Sequence, residues 1–163
     1  MKKGIQKILI FVTLGCLLTS SPVYAGSANI ASKSTEQEAF DYETTRGDYI
    51  STSTSRLSNI GGGAIGISAA TTAHEPVDKI RIHLYLDRLD TDNRWTQVDD
   101  FDFTFTPEDD PSGELTIAAV EFEVNNQPSG YYYRVRGTHG VWKNGVTETQ
   151  STWTDGVMIT DTP

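Results

Sequence analysis

Tyr132, Arg134 and Arg136 stand at alternate positions, and Trp142 follows in the stretch GTHGVWKNG. Guanidinium forks grip paired oxygens, and aromatic rings stack on sugar rings or on cations. These four residues are the candidate ligand-binding set, and the chemistry they offer is recognition. Bond-making chemistry has thinner support. The single cysteine, Cys16, lies near the N-terminus, and no serine sits in a G-x-S-x-G elbow. His74, His83 and His139 lack the close spacing of zinc ligands. Asp90, Asp92 and Asn93 share a turn, as do Glu108, Asp109 and Asp110, but Arg94 stands where the next calcium ligand of the first turn would fall. Gly61-Gly62-Gly63 reads as a turn, because no helix follows it to hold a phosphate. No catalytic residue, metal or cofactor is expected.

The elements that must position the four candidates are strands. In KIRIHLYLDRL, Ile80, Ile82, Leu84 and Leu86 fall on one face, and Arg81, His83, Tyr85 and Asp87 on the other. That period of two is a strand signal. WTQVDDFDFTFTP follows the polar turn DTDNR. Its Phe101, Phe103 and Phe105 alternate with Val98 out of step, which predicts a bulge or bend near Asp99-Asp100. DYISTSTSRLS and GAIGISAATTA are joined across Asn59 to Gly63, and ELTIAAVEFEV sets Val120, Phe122 and Val124 against Glu121 and Glu123. Then comes the strand that carries the candidates, with Tyr131, Tyr133 and Val135 facing the core. ETQSTWTDGVMIT closes the chain and is expected to break at Thr154-Asp155-Gly156. About seven strands and no helix predict an all-β fold, an antiparallel sandwich of two sheets, with a barrel as the alternative.

Three segments divide the 163 residues. Residues 1–25 begin Met1-Lys2-Lys3, continue through an apolar run from Ile8 to Leu18 and end Val23-Tyr24-Ala25, which is the pattern of a cleavable signal peptide. Lipidation at Cys16 is disfavoured, because Thr13-Leu14-Gly15 reverses the order a lipobox requires. Residues 26–45 read as a flexible polar leader in which Ala39-Phe40 and Tyr42 could pack down near the end, and residues 46–163 as the sandwich domain. The protein is therefore expected to be secreted and extracellular, released rather than attached to the wall. Arg46-Gly47-Asp48 spells the integrin-recognition tripeptide, but it leads directly into the first expected strand, and a turn is the preferred reading.

The chain carries 13 basic and 22 acidic residues. Residues 1–25 hold three of the lysines and no acid, so the remainder has a net charge of −12. Such a domain repels phosphate backbones and anionic lipids, so neither nucleic acid nor, after cleavage, a membrane is an expected partner.

The C-terminal segment SGYYYRVRGTHGVWKNGVTETQS resembles the penultimate strand and final hairpin of fibronectin type III and immunoglobulin-like domains. Pro128-Ser129-Gly130 stands at the turn, Arg134-Val135-Arg136 in the middle, and Gly137 where alanine is usual. The resemblance covers about 25 residues and implies a fold without a function. It also implies that Tyr131 is the tyrosine whose hydroxyl returns to upstream backbone. The tryptophan that the family carries on an early strand is absent here, where Trp95 is the first. The whole chain after residue 25, from RGDYISTSTSRLSNIGGGAIGISAATTAH onward, resembles a group of small secreted proteins of Gram-positive bacteria with no assigned chemistry. The expected function is a binding or structural module acting on a protein or cell-surface partner. The alternative is a carbohydrate-binding module that takes a surface glycan on Tyr132, Arg134 and Trp142. A secreted enzyme ranks third.

Overall fold

Alternation along the chain becomes strand structure wherever one face can be buried. The computed structural model describes residues 38–44 and 47–162, all within one compact unit. Nine strands lie among them: β1 (Glu38–Thr44), β2 (Ile50–Gly61), β3 (Ala64–Ala73), β4 (Lys79–Leu89), β5 (Trp95–Phe105), β6 (Ile117–Val124), β7 (Tyr132–Lys143), β8 (Val146–Trp153) and β9 (Val157–Met158). One 3-10 turn, Pro107–Asp109, is the helical element of the described residues.

The strands form two antiparallel sheets. The first runs β1-β2-β3-β6. The second runs β5-β4-β7-β8, with β9 also paired to β7. Ile65 and Ile67 from the first sheet and Ile82, Leu84 and Val135 from the second are fully buried between them. Phe122 of β6 meets Phe101 and Phe103 of β5 at ring-centroid distances of 4.7 and 5.5 Å, closing one side of the sandwich. Two turns follow from residue type. Gly61, Gly62 and Gly63 all have positive φ between β2 and β3. A Cβ on Gly63 would meet the Gln127 carbonyl oxygen at 2.5 Å. Asn144 and Gly145, both with positive φ, make the two-residue turn between β7 and β8.

Pairing register puts the expected irregularities in place. Leu86 pairs with Asp99 and Asp87 with Gln97, so Val98 is the extra residue of a bulge. The last strand breaks at residues 154–156, and β9 then pairs with β7 at Tyr132 and Tyr133.

Three expectations are corrected. Residues 38–44, placed in the leader, form a strand in register with residues 52–58 of β2, so the sandwich starts before residue 46. Backbone pairing decides this: Ala39 is the buried side chain there, while Phe40 and Tyr42 stay exposed. The strand count rises from seven to nine through β1 and the split of β8 from β9. The returning tyrosine is Tyr133, whose hydroxyl donates to the Pro128 carbonyl at 3.2 Å. Tyr131 precedes the strand and lies under the Arg88 guanidinium, 5.0 Å from its ring centroid. Residues 1–37, with the expected signal peptide and most of the expected leader, lie outside the described residues, as does Arg46. Gly47 and Asp48 lie in the connection from β1 to β2, with Asp48 exposed.

A polar seam crosses the core between β2, β3, β7 and β8. The His139 ring is completely buried. Its Nδ1 lies 2.8 Å from Thr71 Oγ1 and its Nε2 3.0 Å from Thr152 Oγ1, and Thr152 Oγ1 lies 2.6 Å from Ser55 Oγ. Burial pushes the imidazole pKa down to about 4, because the interior penalises its charged form. Gly137 makes room for this cluster. A Cβ there would sit 2.4 Å from Thr152 Oγ1 and 2.7 Å from His139 Nε2. Gly137→Ala should therefore lower stability by about 1–3 kcal/mol, as overpacking does. Urea unfolding measures it, and an unchanged midpoint would mean that the seam yields.

Candidate functional site

The outer face of the second sheet collects every candidate. Along β7 the outward positions are Tyr132, Arg134, Arg136, Thr138, Gly140 and Trp142, because the positions between them are buried. Register sets Asp87 of β4 beside Arg134, Tyr85 beside Arg136, and Gln97 of β5 on the far side of Asp87.

Asp87 is 2% exposed and carries the charge balance of this face. Its Oδ2 accepts from Arg136 Nε at 2.7 Å and from Arg134 Nε at 3.1 Å, and its Oδ1 accepts from Arg136 Nη2 at 2.9 Å. One carboxylate thus serves two guanidiniums. Its hydrogen bond holds Arg136 protonated beyond the ordinary arginine range. Each guanidinium also lies over an aromatic ring: Arg134 is 4.4 Å from the Trp95 centroid, and Arg136 is 4.9 Å from that of Tyr85. Ring faces carry negative potential, so both contacts favour the cations. The network continues through the Tyr85 hydroxyl, 3.0 Å from His83 Nδ1, to His83 Nε2, 3.1 Å from Asp100 Oδ2. Arg81 forms a two-pronged pair with Asp102 further along, and that bond holds the Asp102 carboxyl below its usual range.

Trp142 shares the face but not the cluster. It lies six residues beyond Arg136, about 20 Å along an extended strand. Its indole covers Gly140, where a Cβ would meet ring carbons at 2.8 Å, and Lys79 Nζ stands 3.8 Å from the ring centroid. The structure therefore separates the four candidates into an arginine end, with Tyr132, Arg134 and Arg136, and a tryptophan end.

Trp95 belongs to the arginine end, as do Asp87 and Gln97, which were not among the sequence candidates. Alternation already pointed Asp87 outward. Its partners are 47 and 49 residues away, and only the pairing of β4 with β7 joins them. His74 is exposed in a loop, His83 is on this face and His139 is in the core, so the three histidines occupy three separate environments.

Residues 23–157 match the model of DUF6147, a family of unknown function. The chain belongs to that family. The matched stretch takes in all of β1 to β8, and with them the arginine clamp and the polar seam. No curated protein matches the DUF6147 chain significantly. Among solved structures it is similar to Spo0M, a sporulation control protein from Bacillus subtilis, at 10% identity and a TM-score of 0.33. That alignment covers 75% of the DUF6147 chain and 49% of the other, so the chain spans about half the length of the protein it matches.

Proposed function

We propose that this protein is a secreted, non-catalytic binding module of the immunoglobulin-like class. It engages a protein or cell-surface partner through the arginine end of the second sheet. The observation that carries this is the buried Asp87 holding two arginines side by side. Arg134 spends only its Nε on Asp87 and rests its plane on Trp95. The two-nitrogen end of its fork is left for an incoming pair of oxygens, such as a carboxylate. A fork already fixed in place loses little entropy on binding.

Secretion rests on the sequence of residues 1–25. The immunoglobulin-like reading is supported by the strand orders β2-β3-β6 and β5-β4-β7-β8, and by Tyr133 returning to Pro128 at the start of β7. Nucleophilic catalysis pairs a hydroxyl with an imidazole. Among serine and threonine hydroxyls of the described residues, that pairing is His139 with Thr71 and Thr152, all buried out of a substrate's reach, while the outward His83 pairs with the phenol of Tyr85.

Carbohydrate binding is the second reading, and the indole of Trp142 laid along Gly140 favours it. One experiment separates the two. The protein is incubated with insoluble polysaccharides and with cell walls, and its depletion from the supernatant is measured for wild type, Arg134→Gln and Trp142→Ala. Loss of retention in Arg134→Gln alone supports the arginine end. Loss in Trp142→Ala alone moves the site to the other end of the strand and makes the ligand a glycan. Equal retention of both variants overturns both assignments.

A further inference from the structure

His83 and Tyr85 alternate along β4, so both point to the outer face of the second sheet, and each is partly exposed there. Their ring centroids are 4.3 Å apart. Pairing of β4 with β5 sets Asp100 beside Tyr85 and Asp102 beside His83. One ring nitrogen of His83 therefore meets a carboxylate and the other a phenol. Nε2 is 3.1 Å from Asp100 Oδ2, and Nδ1 is 3.0 Å from the Tyr85 hydroxyl. An ionised carboxylate only accepts hydrogen bonds, so Nε2 carries the imidazole proton and donates it to Asp100. Nδ1 then holds the lone pair, and the Tyr85 hydroxyl donates to it. An imidazole oriented in this way is placed to take the phenol proton, and Asp100 behind it favours the imidazolium that forms. A cation reaches the same phenol from β7. Arg136 lies 4.9 Å from the Tyr85 ring centroid, and Asp87 fixes it there through bonds of 2.7 and 2.9 Å. Its charge favours the negative charge that would grow on the phenol oxygen during attack.

We propose that Tyr85 is an activated nucleophile, a covalent acceptor for an acyl or sulfonyl group carried by an activated donor. The Tyr85 oxygen attacks the electrophilic carbon or sulfur. One bond to that oxygen forms, the bond to the leaving group breaks, and the leaving group departs with its electron pair. The phenol proton passes to Nδ1 of His83. Asp100 is a positioning residue that holds the imidazole in the accepting tautomer, and Arg136 is the fixed positive charge beside the ring. The step is stoichiometric and needs no partner on Arg134, so it stands apart from recognition at the arginine end. The charged groups around the pair are Asp100 and Asp102 of β5, Arg81 and Asp87 of β4, and Arg136 of β7.

Phenylmethanesulfonyl fluoride is the probe, because it leaves a stable sulfonate ester on a phenol and releases fluoride. The full chain is treated with it, and labelling of each tyrosine is followed by peptide mass spectrometry. Tyr42, 53% exposed on the first sheet with its ring against Phe40, is the internal reference. Tyr85 should be labelled at least about tenfold faster than Tyr42, a modest share of the ~10²–10⁴-fold that a positioned base contributes. His83→Gln keeps an oxygen for the hydroxyl to donate to but removes the base. It should bring Tyr85 down to the rate of Tyr42 and leave Tyr42 unchanged. The pH profile separates proton acceptance from mere packing. Between about pH 7 and about pH 9 an unassisted phenol gains reactivity about tenfold per unit, because only its phenolate reacts. Tyr85 should rise much less steeply in wild type and recover the steep rise in His83→Gln. Labelling of Tyr85 no faster than that of Tyr42 overturns the proposal. So does a Tyr85 rate or pH slope that His83→Gln leaves unchanged.

Discussion

Between about pH 7.5 and about pH 4.5 the protein should lose about 2–3 kcal/mol of stability through His139 alone. The imidazole titrates at about 4 in the folded protein against 6.5 for an unperturbed histidine. The unfolded chain therefore binds the proton first as pH falls. The contribution is fully present above 6.5, shrinks through the interval down to about 4, and is gone below it. Burial is the cause, and the groups within hydrogen-bond reach are hydroxyls, Thr71 from β3 and Thr152 from β8, with Ser55 of β2 behind Thr152. Hydroxyls can accept from an imidazolium but carry no charge to offset it, so the desolvation cost stands. Urea unfolding as a function of pH gives the slope directly. His139→Gln, whose amide can still bond both hydroxyls and does not titrate, should flatten it. A slope that survives in His139→Gln would assign it to other groups. Asp102 and Asp90, held below their usual range by Arg81 and by Thr96, lose their contributions at lower pH, below the ordinary carboxylate values.

Asp87→Ala should cost about 2–3 kcal/mol. Removing one partner of a buried ion pair costs 3–5 kcal/mol or so, and the partial exposure of both arginines reduces it here. The variant leaves Arg134 and Arg136 side by side with no counter-charge between them. Replacing Asp87, Arg134 and Arg136 together by apolar residues of similar size should cost much less than Asp87→Ala, because no charge then remains uncompensated. Chemical denaturation of the two variants reads this difference. If Asp87→Ala unfolds at the wild-type midpoint, the clamp does not stabilise the sheet. Binding separates the effects further: Asp87→Ala should weaken retention on any partner that Arg134 holds, since its guanidinium loses its anchor.

Much of this architecture was legible along the chain. Ile80 to Leu86 announce a strand because burial of one face imposes a period of two, and Val98 announces its bulge by falling out of step. Asn144-Gly145 announces a hairpin because both residues tolerate positive φ. These are local properties, and local sterics carry them. β1 was not legible, because an edge strand that buries Ala39 and exposes Phe40 and Tyr42 owes its existence to backbone pairing with β2. The choice between Tyr131 and Tyr133 escaped for a related reason, since both face the core side and only the start of β7 decides which hydroxyl reaches Pro128.

What the sequence determined by itself was the fold class, the outward direction of Tyr132, Arg134 and Arg136, and the acidic balance, because alternation and composition need no long-range contact. What only the tertiary structure decided was partnership. Pairing of β4 with β7 brought Asp87 to its arginines and left Trp142 at the far end of the strand. Packing of the two sheets closed His139 into the seam, and the order β1-β2-β3-β6 assembled one outer face from four separate segments. Contacts between residues tens of positions apart depend on register and sheet order, and those arise only when the whole chain has found its pairing.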